Sequence, residues 1–405
     1  MENSEVLIVG GGPAGMMAGL LFARAGVRTL VIEKHGDFLR DFRGDTVHPS
    51  TLELIDELGL LDRFLKRPHD EVRTLAVRVA GRKIVIADMG HLPTRCRFIA
   101  LMPQWDFLDF LSDEARRYPA FSLAMNTEAV GSLIENGRVA GVRLKDGGEL
   151  RAALTIAADG RGSVLRAKAG LPLHDLGAPI DVLWFRLPKG RSAENETGGA
   201  IGAGTMVVRL DRGDYWQCAF VVAKGRADAI EARGIEAFRA GLAATAPEIA
   251  DVVDTLESWD QVKLLSVSLD RLKRWSRPGL LAIGDAAHAM SPVGGVGINL
   301  AIQDAVAAAN TLAAPMAHGE PVDDLLRKVQ ERRILPVRII QAMQHAIHNR
   351  VLRPLIERET ALDKVPFALT LFDRFPVLRR IPARLVGLGP WREHIRSPDA
   401  GQARG

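Results

Sequence analysis

Apolar residues recur along this chain in three rhythms, and each predicts a different element. Residues 5–9 form a short, continuous apolar run with β-branched side chains, the pattern of a buried parallel strand. Residues 16–25, rich in Ala, Leu and Met, predict a helix, and Gly26 ends it. Residues 27–32 predict a second strand ending at Glu33, which completes a strand–helix–strand unit. Residues 49–64 are helical in period, with Leu52, Ile55, Leu58 and Leu61 on one face. Residues 73–87 alternate apolar and polar and predict antiparallel strands. Residues 103–117 predict a helix. Residues 139–156 predict two strands about the turn Asp146-Gly147-Gly148, leading into Ala157-Ala158-Asp159-Gly160.

The pattern then changes. Residues 181–187, 204–210 and 215–223 predict strands, and 227–244 a helix, so this stretch reads as a sheet-rich second unit. Residues 280–283 return to the buried-strand pattern. A glycine-rich loop follows and opens a long Ala-rich helix over 298–312. Beyond Glu331 the chain is mostly helical, punctuated by Pro354, Pro366, Pro376 and Pro382.

Composition narrows the class. The 405 residues are 47% hydrophobic and 25% charged, as in a folded globular protein of about two domains. The net charge of +4 is a small excess for this length, so the pI of 9.2 is no pointer to nucleic acid. Cys96 and Cys218 are too few for a disulfide framework or a multi-cysteine zinc site, and no H-x-x-x-H or C-x-x-C spacing suggests a metal. The N-terminus is acidic where a signal peptide would be basic, and no window holds about 18 uninterrupted apolar residues. A soluble cytoplasmic protein is the expectation.

The candidate chemistry lies at three glycine stations. In Gly10-x-Gly12-x-x-Gly15, between strand and helix, the first glycine permits the tight turn, the second lets a pyrophosphate reach the backbone, and the third lets the helix pack closely. The helix N-terminus then faces the phosphates, and Glu33, eighteen residues past Gly15, is placed to accept ribose hydroxyls. The second station is Asp159-Gly160-Arg161. The third runs from Gly284-Asp285 through His288, which reads as structural, to Ser291-Pro292-Val293-Gly294-Gly295-Val296-Gly297-Ile298-Asn299. This is a second helix N-terminus facing a ligand. One dinucleotide with two ends accounts for both.

These motifs, in this order, resemble the class A flavoprotein monooxygenases, the para-hydroxybenzoate hydroxylase family, over about residues 4–335. The resemblance implies an α/β fold: a discontinuous FAD-binding Rossmann-like domain of the glutathione-reductase type (1–75, 98–178 and 258–335). An inserted antiparallel-sheet substrate domain (76–97 and 179–257) and a helical C-terminal region (336–405) complete it. It implies that Gly10, Gly12 and Gly15 hold the FAD pyrophosphate, with Glu33 and Lys34 at the adenosine side. Gly284 and Asp285 would meet the ribityl and pyrophosphate region, and Asp159 would serve both FAD and the nicotinamide cofactor. Gly297, Ile298 and Asn299 would turn helix N–H groups to the N1/O2 edge of the flavin, where the reduced ring is negative. By the same resemblance Arg43, in Arg43-Gly44-Asp45-Thr46, reaches the FAD phosphates, Thr46 lies toward flavin and substrate, and Gln104 meets the ribityl chain.

Triplet oxygen reacts poorly with closed-shell aromatics, so a cofactor must carry the chemistry. The implied reaction is NAD(P)H- and O2-dependent aromatic hydroxylation through a C4a-hydroperoxyflavin. Pro292 and Gly295 would stand beside the reacting oxygen, acting through backbone position. His48 or Asp45 is the candidate base for a phenolic substrate, with a helix cap as the plain alternative for His48. The inserted sheet would roof the substrate, offering Met206, Val208 and Leu210 from one strand and Trp216, Cys218 and Phe220 from the next. Few charges fall there, which favours a fairly large apolar aromatic. Monomer and homodimer both remain open. The basic, apolar tail suggests a pocket cap, a dimer face or peripheral membrane contact. A flavin halogenase is the alternative enzyme, although Trp184-Phe185-Arg186-Leu187-Pro188 only echoes its W-x-W-x-I-P motif. A non-catalytic dinucleotide-binding protein is the other.

Overall fold

The computed structural model describes residues 4–39, 46–190, 197–202, 204–358, 362 and 364–401. Two sheets organise it. In the first, five strands run parallel in the order Leu280–Ala282, Glu149–Ala157, Ser4–Val9, Thr29–Ile32 and Phe121–Ala124. The residues of Leu280–Ala282 and Thr29–Ile32, and most of Ser4–Val9, are buried on both faces, which is why the sequence shows continuous apolar runs there. The antiparallel strands Ala129–Glu135 and Arg138–Leu144 extend from Glu149–Ala157. Helix Pro13–Arg24 and the long helix Gly297–Ala317 pack together beside this sheet. Gly284, at φ +58°, sits so close that an added β-carbon would stand 3.1 Å from both Ala14 and Ala301.

The second sheet has seven strands in the order Lys263–Ser266, Ile180–Pro188, Tyr215–Ala223, Met206–Asp211, Gly198–Ile201, Thr74–Val79 and Arg82–Asp88. All neighbours are antiparallel except Gly198–Ile201 against Thr74–Val79. Strand Lys263–Ser266 belongs to this sheet, although the sequence reading began the third FAD segment at 258. A four-residue edge strand between irregular segments leaves too little periodicity to place it.

Helix Ile235–Thr245 covers one face of this sheet, where Phe238 packs edge-on against Phe185 and Phe220. The other face is covered by the π-helical turn His348–Leu352 and helix Arg353–Ile356, through Leu352 and Ile356. Helix Leu326–Ile347 runs without interruption through Pro336. Of the later prolines, Pro376 stands in the first turn of a short helix and Pro366 at an N-cap, where a missing N–H costs nothing, whereas Pro354 follows directly on the π-helical turn His348–Leu352. Among the described residues no helix is long and apolar enough to cross a membrane.

Candidate functional site

The glycine turn follows strand Ser4–Val9. Gly10 has φ +109°, and an added β-carbon would lie 2.3 Å from the Ala158 carbonyl oxygen on the next strand. At Gly15 it would lie 1.9 Å from the Gly10 carbonyl oxygen, so the helix rests directly on the turn. At Gly12 it would meet nothing within 4 Å. Open space therefore stands before a helix N-terminus whose first N–H groups have no intrahelical partner, a setting suited to phosphate. The Glu33 carboxylate borders this space. It accepts the Gly11 N–H (2.9 Å) and the His35 N–H (3.1 Å). Lys34 is exposed beside it, and Gln104 is buried at the start of helix Gln104–Ala115. This space, dipole and acid fit the adenosine diphosphate half of FAD.

The other stations converge on the same place. Asp159 follows strand Glu149–Ala157 beside Gly10. One carboxylate oxygen accepts the Leu165 N–H (3.3 Å), while Oδ1 is buried without a partner, and burial pushes the carboxyl pKa up. Arg161 donates from Nε to Asp285 (3.1 Å) and from its other arm to the Met290 carbonyl (3.2 Å). Arg166 reaches the carbonyls of Asp285 and Ala286, both at 3.3 Å. Two arginines thus clamp the second station to the third, and the orphaned Asp159 oxygen is available to a hydroxyl donor.

The third station ends in a fastened loop. Gly294 (φ +82°) and Gly295 (φ +63°) turn the chain into helix Gly297–Ala317. Thr46 donates to the Gly295 carbonyl (3.0 Å). Asn299 accepts from the His48 N–H (3.0 Å) and the Thr51 hydroxyl (2.7 Å), and donates to the carbonyls of Gly295 (3.3 Å) and Thr46 (3.4 Å). The side chains of Thr46 and Asn299 are therefore taken up in joining residues 46–51 to the loop. Gly297 and Ile298 form the first turn of the helix, where backbone N–H groups have no intrahelical partner. Pro292 opens the turn at φ −65°.

Sequence reasoning missed the latch behind this loop. Gln344 accepts the Ser291 N–H (3.1 Å) and donates to the carbonyls of Ser291 and Val293, each at 2.9 Å. The Ser291 hydroxyl pairs with His348 Nε2 at 2.8 Å. Gln341, Gln344 and His348, three and four apart, present one polar helix face, the signal that could have exposed them. His348 begins a π-helical turn, a rare form found often at functional sites.

His48 is fully buried. Its Nδ1 hydrogen bonds to the Val386 carbonyl at 2.7 Å, so Nε2 is the accepting nitrogen, and it has no partner. Nε2 lies 3.3 Å from where a Gly295 β-carbon would stand. Burial lowers the pKa to about 4, against the upward pull of the Val386 carbonyl, and the ring is neutral at pH 7. Arg43 and Asp45 lie outside the described residues.

The sheet register corrects one expectation. Met206 pairs with Val221 and Val208 with Ala219, and these face Val293 of the loop together with Val182, Leu352 and Ile356. Trp216, Cys218 and Phe220 point to the opposite face, beneath helix Ile235–Thr245. Trp216 is fully buried there, with Lys189 and Arg209 each 5.2 Å from its ring, and is a core residue rather than a substrate contact. Cys218 is equally enclosed, its thiol pKa pushed up to about 12 by burial. The aromatic on the loop-facing side is Trp184, opposite Ala219, with a buried and unpartnered indole N–H.

A family profile described as an FAD binding domain matches residues 3–343. The 6-methylpretetramide 4-monooxygenase of Streptomyces rimosus is 33% identical over 336 residues, spanning 82% of this chain and 80% of that protein. The rifampicin monooxygenase of Streptomyces venezuelae is 28% identical over 324 residues, spanning 74% of this chain and 62% of that protein. PqsL of Pseudomonas aeruginosa, solved in complex with 2-aminobenzoylacetate, superposes with a TM-score of 0.75 at 22% identity, covering 88% of this chain and 98% of that one. With its glycine stations converged and open space before the first helix, the chain belongs to the FAD-dependent aromatic monooxygenases of the para-hydroxybenzoate hydroxylase type.

Proposed function

We propose that the protein hydroxylates a fairly large, apolar aromatic substrate with NAD(P)H and O2. The architecture proposed with it is a FAD unit of the glutathione-reductase type, interrupted by a substrate sheet that extends to residue 266. When bound, FAD takes electrons from the nicotinamide cofactor and activates O2 for transfer to the ring.

The observation that carries this reading is the packing of Val293, in the loop Ser291–Gly295, into an apolar sheet face made by Met206, Val208, Ala219 and Val221 beside Trp184. Residues at the centre of that face are uncharged, and Arg186 and Lys263 stand toward its ends. Among the described residues a benzoate carboxylate would find no buried counter-ion there, whereas a flat apolar ring gains by burial. The loop excludes water and orients the ring through its backbone. His48 Nε2 offers a neutral acceptor for a substrate hydroxyl. Its low pKa makes it a weak base, so its role is positioning.

The test is substrate-stimulated NAD(P)H oxidation over a panel of aromatics, beginning with compounds of the 6-methylpretetramide class. The expected product gains one oxygen by mass spectrometry, and small benzoates bind weakly. Chlorinated product would make the protein a halogenase. FAD binding with no turnover across the panel would make it a dinucleotide-binding protein without this activity. Tight binding of a small charged benzoate would overturn the substrate class.

A further inference from the structure

Residues 364–387 include two short helices, Phe367–Arg374 and Arg380–Gly387, which pack on strand Arg82–Asp88. The second helix turns Ala383 and Gly387 inward against Met89 and Leu92. The segment's outward side combines two residue classes. Phe367 is 79% exposed, Ile381 66%, Val377 59% and Phe375 51%. Among and beside them stand the exposed cations Lys364, Arg374, Arg380 and Arg384. The sole acid of the segment, Asp373, sits between Arg82 (3.2 Å) and Arg379 (3.6 Å). Among the described residues none of the four exposed cations has a carboxylate partner. The segment holds five basic residues and one acid, an excess equal to the +4 of the whole chain.

We infer that this face binds an anionic lipid surface. Exposed Phe, Val and Ile insert at the boundary of the acyl chains, and interspersed Arg and Lys meet headgroup phosphates. A second copy of the chain fits poorly, because a two-fold contact would set this cationic face against itself. The face also connects to the loop. Ile381 and Val386 lie on one helix, about 8 Å apart in rise. Val386 accepts from His48 (2.7 Å), and its side chain lies 3.8 Å from where a Gly294 β-carbon would stand. A lipid-dissolved aromatic would thus be delivered within one short helix of the reacting loop. This use rests on the proposed hydroxylase reading, while the lipid binding stands apart from it.

The experiment is sedimentation of the full-length, FAD-loaded protein with vesicles of equal parts phosphatidylglycerol and phosphatidylcholine, compared with phosphatidylcholine alone. Binding is expected to the anionic vesicles only, with release at about 1 M salt, where screening falls to about 3 Å. Arg380→Glu with Arg384→Glu should remove binding, since each cation near the surface contributes about fivefold. Phe367→Ser with Ile381→Ser should lower it about tenfold. FAD content and thermal midpoint should be unchanged in both variants, because these side chains lie in solvent. Absence of binding at low salt would overturn the proposal. So would binding indifferent to both double variants, a dimer dispersed by Ile381→Ser, or stable association with an acidic protein in place of vesicles. Because no readout uses turnover, an inactive enzyme that binds vesicles leaves the surface assigned and only the hydroxylase reading refuted.

Discussion

Gly12 and Gly15 stand three residues apart. An added β-carbon meets open space at the first and the Gly10 carbonyl oxygen, 1.9 Å away, at the second. The two alanine variants should therefore fail differently. Gly12 has φ −74°, which any residue adopts, so Gly12→Ala should leave the unfolding free energy of the FAD-free protein within about 0.5 kcal/mol. Its methyl would occupy the space before the helix N-terminus, and FAD affinity should drop by about tenfold or more, read by flavin fluorescence titration. Gly15→Ala must push the helix off the turn and should cost about 1–3 kcal/mol of stability even without FAD. Equal stability loss in both variants would refute the assignment of Gly12 to the ligand. These glycines were legible in the sequence because backbone geometry dictates them. The fastening role of Asn299 was not, since an asparagine at a helix start reads equally as a ligand contact or a cap.

At the scale of elements, alternation within a strand was legible but alignment between strands was not. Residues 206, 208 and 210 share a face by period alone. Which face of 215–223 joins them depends on pairing register, and a shift of one residue exchanges the faces. Met206 against Val221 makes the shared set Ala219 and Val221, which moves Trp216 to the far side. Edge strand Lys263–Ser266 was equally hidden by its brevity. The latch from helix Leu326–Ile347 was illegible for a different reason: glutamines at helical spacing resemble a solvated face until the loop is packed on them. Gln344 satisfies one N–H and two carbonyls of Ser291 and Val293. Gln344→Leu leaves them buried and unpaired, at about 1–3 kcal/mol for each group that water cannot reach. The expected outcome is a loosened loop: FAD still binds through the first station, but a larger share of consumed NAD(P)H appears as hydrogen peroxide than as hydroxylated product. An unchanged coupling ratio would show that the loop holds itself.

Across the whole molecule, the C-terminal stretch around Val386 and Glu393 is tied to the flavin unit by groups that respond to protons. Asp304, at 0% exposure, pairs with His288 (2.6 Å) and with the equally buried Arg333 (3.0 Å). Arg333 in turn faces Glu393, near the end of the described chain. Burial alone would raise the Asp304 pKa, but His288 and Arg333 outweigh it and hold the carboxyl below its ordinary value. His48 joins residues 46–51 to Val386 and is held neutral, with a pKa of about 4. Both shifts act in the same direction on acidification, in successive windows. For His48 the unfolded chain binds a proton below pH 6.5 that the folded chain refuses until about pH 4, so stability falls as pH drops through that interval. Between pH 7 and pH 5 the loss from this ring alone is about 2 kcal/mol. Asp304 contributes stability above its unfolded value and loses it only below about pH 4. Asp159, whose pKa is raised, opposes the trend near pH 4 and above, so the contribution of His48 is isolated by difference. His48→Asn retains a donor toward Val386 without a titrating ring. In urea unfolding at pH 5 and pH 7, the variant should lose about 2 kcal/mol less than the parent over the interval, whatever its absolute stability. Parallel pH dependence in the two proteins would mean that His48 is not held neutral, and its assignment as an accepting, positioning group in the loop would fall with it.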